Sequence, residues 1–280
     1  MKDVTEETRI TRRFQYLNKH RRPALVTFIT ANDPTPDVFE QILEGLPSAG
    51  ADIIEIGVPF SDPMADGPSI QASSQRALKH GTKIADVLAA VKTFRDKEPD
   101  TPIVLMGYYN PIYHYGAQEF ASDVAAAGVD GVIVVDLPPE EAEELNVHLR
   151  ANQLHMIFLA APTSSDERLP AILEHASGFL YYVSFTGITG TRVADENAVK
   201  EAVARLRRHT DLPIAVGFGI KTPERAGSIA ASCDAAVVGS AIVDIIADDV
   251  KKNKNPSVGL SGKVLEFVKS LATAVHGAWP

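Results

Sequence analysis

A chain of 280 residues with 45% hydrophobic and 22% charged residues has a globular composition, which excludes a collagen-like chain, a coiled coil and extensive disorder. Its net charge of −9 gives no general attraction for nucleic acid or an anionic membrane, so an anionic ligand would need donors gathered locally. The lone Cys233 excludes an internal disulfide and a cysteine-built zinc site; with no bilayer-length apolar run and no apolar segment in MKDVTEETRITRR, a soluble cytoplasmic protein is expected.

Along the chain, short β-branched runs alternate with segments of helical period. Ile10, Phe14 and Leu17 share one face of an amino-terminal helix, expected to cap the barrel bottom ahead of the first strand. Strands are expected at 24–29, 52–57, 103–107, 131–136, 155–160, 179–184, 213–218 and 235–239. Between them, Pro36 and Asp37 open a helix carrying Val38, Ile42 and Leu46, and 68–97 reads as a helix interrupted near Gly81 and Thr82. Pro138 and Pro139 open the acidic EEAEELNVHL helix, and Thr222 and Pro223 open another. The stretch 251–263 reads as a loop before the last helix rather than a domain boundary. Eight strands are the number a closed parallel barrel needs, so the expected fold is an α/β (β/α)8 TIM barrel with an added N-terminal helix, one domain over 1–280. An open doubly wound sheet fits less well, because no Gly-x-Gly-x-x-Gly follows the first strand.

In such a barrel the reacting groups lie at the carboxyl ends of strands. Glu55 falls inside the apolar second strand, opposite in face to Ile54 and Ile56, and so points into the barrel, where an unpaired carboxylate is costly. A structural ion pair would explain it, yet no strand candidate contains a lysine or arginine. The following loop holds Ser61, Asp62 and Asp66 among prolines and glycines, where turn formation alone is the alternative. Glycine-rich ends follow the last three strands at 185–190, 217–220 and 239–243, and Ser240 would open a helix. Backbone N–H groups there could cradle a phosphate, the alternative being close strand-to-helix packing. Phe28, Tyr108, Ile133 and Tyr181 could wall an aromatic pocket, although core packing explains each singly. The eight histidines have no metal-ligand spacing, so no metal is expected.

The segments EIGVPFSDPMADGPSIQ (55–71), FITANDP (28–34), GYYNPI (107–112), DLPPEE (136–141), SFTGITG (184–190), GFGI (217–220) and VGSAIV (238–243) together resemble the tryptophan synthase alpha chain family, in family order over nearly the whole sequence. The resemblance implies a lyase that cleaves indole-3-glycerol phosphate to indole and glyceraldehyde 3-phosphate. It also implies a beta chain partner in an α2β2 heterotetramer, with pyridoxal phosphate in that partner and no cofactor in this chain. By the same resemblance Glu55 and Asp66 are catalytic, and Phe28, Tyr108 and Ile133 line the indole pocket. Tyr181 lies beside the reacting carbons, Thr189 belongs to a lid, and Gly190, Gly219, Gly239 and Ser240 hold the phosphate. Asn32, where many members have glycine, and Phe185, where the residue is often polar, depart from the pattern. A subunit that mainly regulates its beta partner and another phosphate-binding barrel, such as a sugar-phosphate isomerase, are the alternatives.

Overall fold

The computed structural model describes residues 8–184, 196–217 and 219–279. Elements follow in the order α1 (Arg9–Lys19), β1 (Ala24–Thr30), α2 (Pro36–Ala49), β2 (Ile53–Gly57), α3 (Pro68–Lys79), α4 (Ile84–Arg95), β3 (Ile103–Gly107), α5 (Tyr109–Tyr115), α6 (Ala117–Ala127) and β4 (Gly131–Val134). A 3-10 turn (Pro139–Glu141) precedes α7 (Glu143–Ala151), β5 (His155–Met156), β6 (Phe158–Ala160), α8 (Leu169–His175), β7 (Leu180–Val183) and α9 (Glu196–Leu206). Then come β8 (Ile214–Gly217), α10 (Pro223–Ala230), β9 (Ala235–Val238), α11 (Ser240–Asn253) and α12 (Leu260–His276).

All strand pairings are parallel, in the order β5-β4-β3-β2-β1-β9-β8-β7-β6. The nine strands among the described residues are the expected eight with 155–160 divided at Ile157: β5 pairs with β4, β6 with β7, and the Ile157 N–H donates to the Val132 carbonyl at 2.9 Å. The chain through Ile157 therefore carries the ring from β4 to β7 and closes the TIM barrel.

Side chains alternate across each strand, giving two apolar layers. Leu25, Ile54, Ile56, Leu105 and Val132 meet the helices, whereas Val26, Ile53, Val104, Ile133, Tyr181 and Val237 fill the barrel. Ile10, Phe14 and Leu17 of α1 join the interior layer, and the Phe14 and Phe179 rings lie 5.9 Å apart, so the amino-terminal helix plugs the bottom as expected.

The same end carries a repeated brace. Asp52, Asp130 and Asp234 each stand immediately before or at the start of a strand, in AGAD, AGVD and ASCD, and accept from the first N–H groups of the preceding strand. The bonds are Leu25 N–H to Asp52 (2.9 Å), Ile103 N–H to Asp130 (2.8 Å) and Ile214 N–H to Asp234 (2.7 Å). Arg22, Arg95 and Arg207 respectively complete each pairing. In the remaining quarter the Ser177 hydroxyl accepts from Met156 N–H at 3.2 Å instead.

Two local expectations are corrected, and GYYNPI, to which no element was assigned from sequence, carries a helix: α5 starts at Tyr109, with Pro111 in its first turn, where a missing N–H costs no helical bond. The stretch 251–263 is a loop only between Asn253 and Leu260, because α11 and α12 extend into it. Pro138 and Pro139 lead into the 3-10 turn, and the α-helix begins four residues later. The interruption of 68–97 falls between α3 and α4, with Gly81 at φ +75° and the Thr82 hydroxyl donating to the Ala77 carbonyl at 2.9 Å. Asn32 has φ +59°, a left-handed conformation that asparagine tolerates better than most non-glycine residues, which accounts for asparagine in a glycine-favouring position.

Candidate active site

Glu55 is the third residue of β2, beside Phe28 of β1 and Val104 of β3 in register. It shares the inward face of Ile53 and is 1% exposed. No described strand contains a lysine or arginine, and Glu55 Oε2 is buried without a hydrogen-bond partner among the described residues. Burial, reinforced by the charge of Asp66, pushes the Glu55 carboxyl up to about 8, so at neutral pH it holds its proton.

Asp66 lies in the segment between β2 and α3, half-buried. Burial raises it to about 6, opposed by a hydrogen bond from the Tyr108 hydroxyl, so it is mainly ionised at neutral pH. Tyr108, expected as a pocket wall, is also a polar anchor: its hydroxyl accepts from the Ala65 N–H at 3.1 Å and bonds Asp66. Its ring lies 5.4 Å from that of Phe60.

Tyr181 is in β7 on the interior face. Burial, then the charges of Glu55 and Asp66, hold its phenol well above the ordinary range, which brings all three groups into one electrostatic neighbourhood. A cleft of about 250 Å³, open solvent included, is lined by Phe28, Asp66 and Tyr108. Ile70, Met106 and Val135 line it too and were not singled out from sequence. Met106 and Val135 follow Val104 and Ile133 by two residues on the same face, so strand alternation carried one step further would have found them. Ile133 itself is fully buried in the interior layer.

Next to β1 at the mouth, α11 starts at Ser240 with Gly239 as its N-cap, and its first bonds to the Gly239 carbonyl come from Ile242 (2.9 Å) and Val243 (3.1 Å). The earlier N–H groups of a helix have no intrahelical acceptor and are the ones an anion can use. Gly219 has φ +78°, and among the described residues a Cβ there would meet nothing within 4 Å. Gly239 also has a packing reason: a Cβ there would lie 3.1 Å from the Phe28 Cβ. Likewise, a Cβ on Gly217 would lie 2.4 Å from the Tyr181 hydroxyl oxygen. The strand-end glycines thus leave room for aromatic rings as well as for a ligand. Thr189, Gly190 and Phe185 lie outside the described residues. Among the described residues there is no metal-ligand cluster of histidine, cysteine and carboxylates, and no helix is long and apolar enough to cross a membrane.

The tryptophan synthase alpha chain family model matches residues 14–274. The chain is similar to the tryptophan synthase alpha subunit of Legionella pneumophila str. Paris, at 37% identity over 96% of this chain and 99% of that one, with a TM-score of 0.88. It is also similar to tryptophan synthase of Mycobacterium tuberculosis, at 34% identity over 97% of this chain and 99% of that one, with a TM-score of 0.86.

Proposed function

The chain belongs to the tryptophan synthase alpha chain family, lyases that cleave indole-3-glycerol phosphate in a retro-aldol step, and on that premise we propose that Glu55 and Asp66 carry the reaction. Breaking the bond between indole C3 and the side-chain carbon needs a proton on C3, which makes the ring an electron sink, and loss of the proton from the neighbouring hydroxyl. Glu55, protonated at neutral pH, gives its proton to C3 and then, as carboxylate, takes the hydroxyl proton as the carbon–carbon bond breaks. Indole and glyceraldehyde 3-phosphate result, and Glu55 ends as it began. Asp66, ionised under the same conditions, accepts from the indole N–H and stabilises the positive charge that C3 protonation creates. The observation that carries this reading is an inward-facing Glu55, 1% exposed and with Oε2 unpartnered among the described residues, beside a less buried Asp66; their different burial keeps the first carboxyl protonated and the second ionised.

Phe28, Tyr108, Ile133 and Tyr181 hold the indole end, while the N–H groups of Gly219, Gly239 and Ser240 hold the phosphate. Thr189 and Gly190 complete the lid and cradle by family resemblance. The alpha chain of this family holds no cofactor of its own. Its indole passes to a beta chain carrying pyridoxal phosphate, in an α2β2 assembly in the cytoplasm. Asp66→Asn tests the division of labour: kcat for indole release falls by at least about a hundredfold with substrate binding retained, because the missing charge acts at the transition state. A loss confined to KM would assign Asp66 to binding alone.

A further inference from the structure

Helix α3, which begins two residues after Asp66, fully buries only Ser73, Ser74 and Ala77, with Ile70 half-buried against the cleft. A row of polar side chains at helical spacing adds directional bonds that fix its position. Ser69 donates to Asp244 of α11 at 2.6 Å. The Ser73 and Thr30 hydroxyls meet at 2.6 Å, and Arg76 grips the buried Asp33 carboxylate through Nε and one terminal nitrogen at 2.6 and 2.8 Å. The last two bonds tie the helix to β1 and the loop after it. Ser69–Asp244 is different: it ties the start of α3 to the helix whose first residue is Ser240.

Asp244 stands four residues after Ser240, on the same face of α11, and Ser69 stands three residues after Asp66. The bond therefore spans from the element assigned to the phosphate to the segment assigned to the indole nitrogen, the two ends between which the reacting carbons must lie. We propose that Ser69 and Asp244 are a positioning pair that holds the Asp66 segment in register with α11 and so fixes the span over which substrate is stretched between its two anchors. The proposal rests on the assignments of Asp66 and Ser240 made above. It predicts an effect on turnover rather than on capture. The phosphate donors are backbone groups of α11 that remain when the bond is cut, and removal of the Asp244 carboxylate takes a negative charge away from an approaching anion.

The test uses the full chain with indole-3-glycerol phosphate as substrate and glycerol 3-phosphate as calorimetric probe. Ser69→Ala and Asp244→Ala should each lower kcat about tenfold, the scale of a small misplacement of a reacting group, while KM is not raised and glycerol 3-phosphate affinity is unchanged or tighter. The double variant should be no slower than either single one, because both remove the same bond. Ser69→Thr, which keeps the hydroxyl, should restore most of the rate. A wild-type kcat in either alanine variant, additive losses in the double variant, or a Ser69→Thr enzyme as slow as Ser69→Ala would overturn the pair. Asp66→Asn measured alongside separates the two levels: if it stays active while the pair variants slow, the pair acts on something other than Asp66 and the proposal fails with that assignment.

Discussion

At the scale of single residues, the two carboxyls predict a bell-shaped pH dependence of kcat/KM. The acid limb follows protonation of Asp66 near 6 and the alkaline limb loss of the proton from Glu55 near 8. Tyr108 tests the assignment of the acid limb. Its hydroxyl bond holds Asp66 lower than burial alone would, so Tyr108→Phe should move the acid limb up in pH and leave the alkaline limb in place. An acid limb that stays put, or moves down, would detach it from Asp66. Glu55 was legible in the sequence because one charged residue interrupts an apolar strand, and strand alternation then gives its direction. The Tyr108 hydroxyl was not legible in this way. Its partners Ala65 and Asp66 belong to a different loop, and no periodicity links residues across such a gap. Phe28 illustrates a mixed case: the aromatic was visible at a strand end, but the packing that makes Gly239 necessary appears only when β1 and β9 are side by side.

At the scale of elements, the aspartate braces at the barrel bottom carry stability far from the chemistry. Removing Asp130 would strand the Ile103 N–H and leave Arg95, already lowered to about 10 by burial, without its carboxylate. Asp130→Ala should therefore cost about 3 kcal/mol in urea unfolding, the scale of breaking a buried ion pair from one side. The exposed Lys97–Glu44 pair offers a control, and Glu44→Ala should cost well under about 1 kcal/mol. Equal losses would mean that the brace contributes no more than a surface pair. The AGAD, AGVD and ASCD triplet was present in the sequence, yet its meaning depends on which N–H each aspartate faces, and that requires the pairing register. Strand positions were readable because most strands are apolar on both faces. The break at Ile157 was not, since 155–160 has no turn residue to mark it; the change of partner from β4 to β7 divides the strand. Helix α5 escaped for a related reason, because Pro111 reads as a breaker unless the helix start is known.

At the scale of the whole molecule, the barrel mouth gathers the proposed chemistry, and by the family resemblance we propose that a beta chain docks beside it, on 59–64 and around Asn110 and Pro111. Met64, 83% exposed, and Tyr113, 66% exposed, lie on the segments that flank the cleft, and Asn110 is exposed on α5. A beta chain seated there would bias the mouth towards its closed form and raise kcat without adding a reacting group, and substrate analogues would tighten beta binding by the same factor. Asn110→Asp should weaken association and blunt activation by titrated beta chain while the free chain keeps its own low rate. Equal activation of wild type and variant would place the docking surface elsewhere. The barrel and its family were legible from sequence because strand count and motif order agree along the chain. The stations of α3 and α11 were not, because they rest on pairs such as Ser69–Asp244 that lie 175 residues apart. One inward-facing carboxyl, held protonated by burial, is proposed to perform both proton transfers, and Glu55→Gln isolates that role because the amide keeps the shape and cannot exchange a proton. Measured with indole-3-glycerol phosphate at neutral pH, the variant should lose about a thousandfold in kcat while glycerol 3-phosphate still binds at wild-type affinity. Retention of more than about a tenth of the wild-type kcat would show that another group moves the protons.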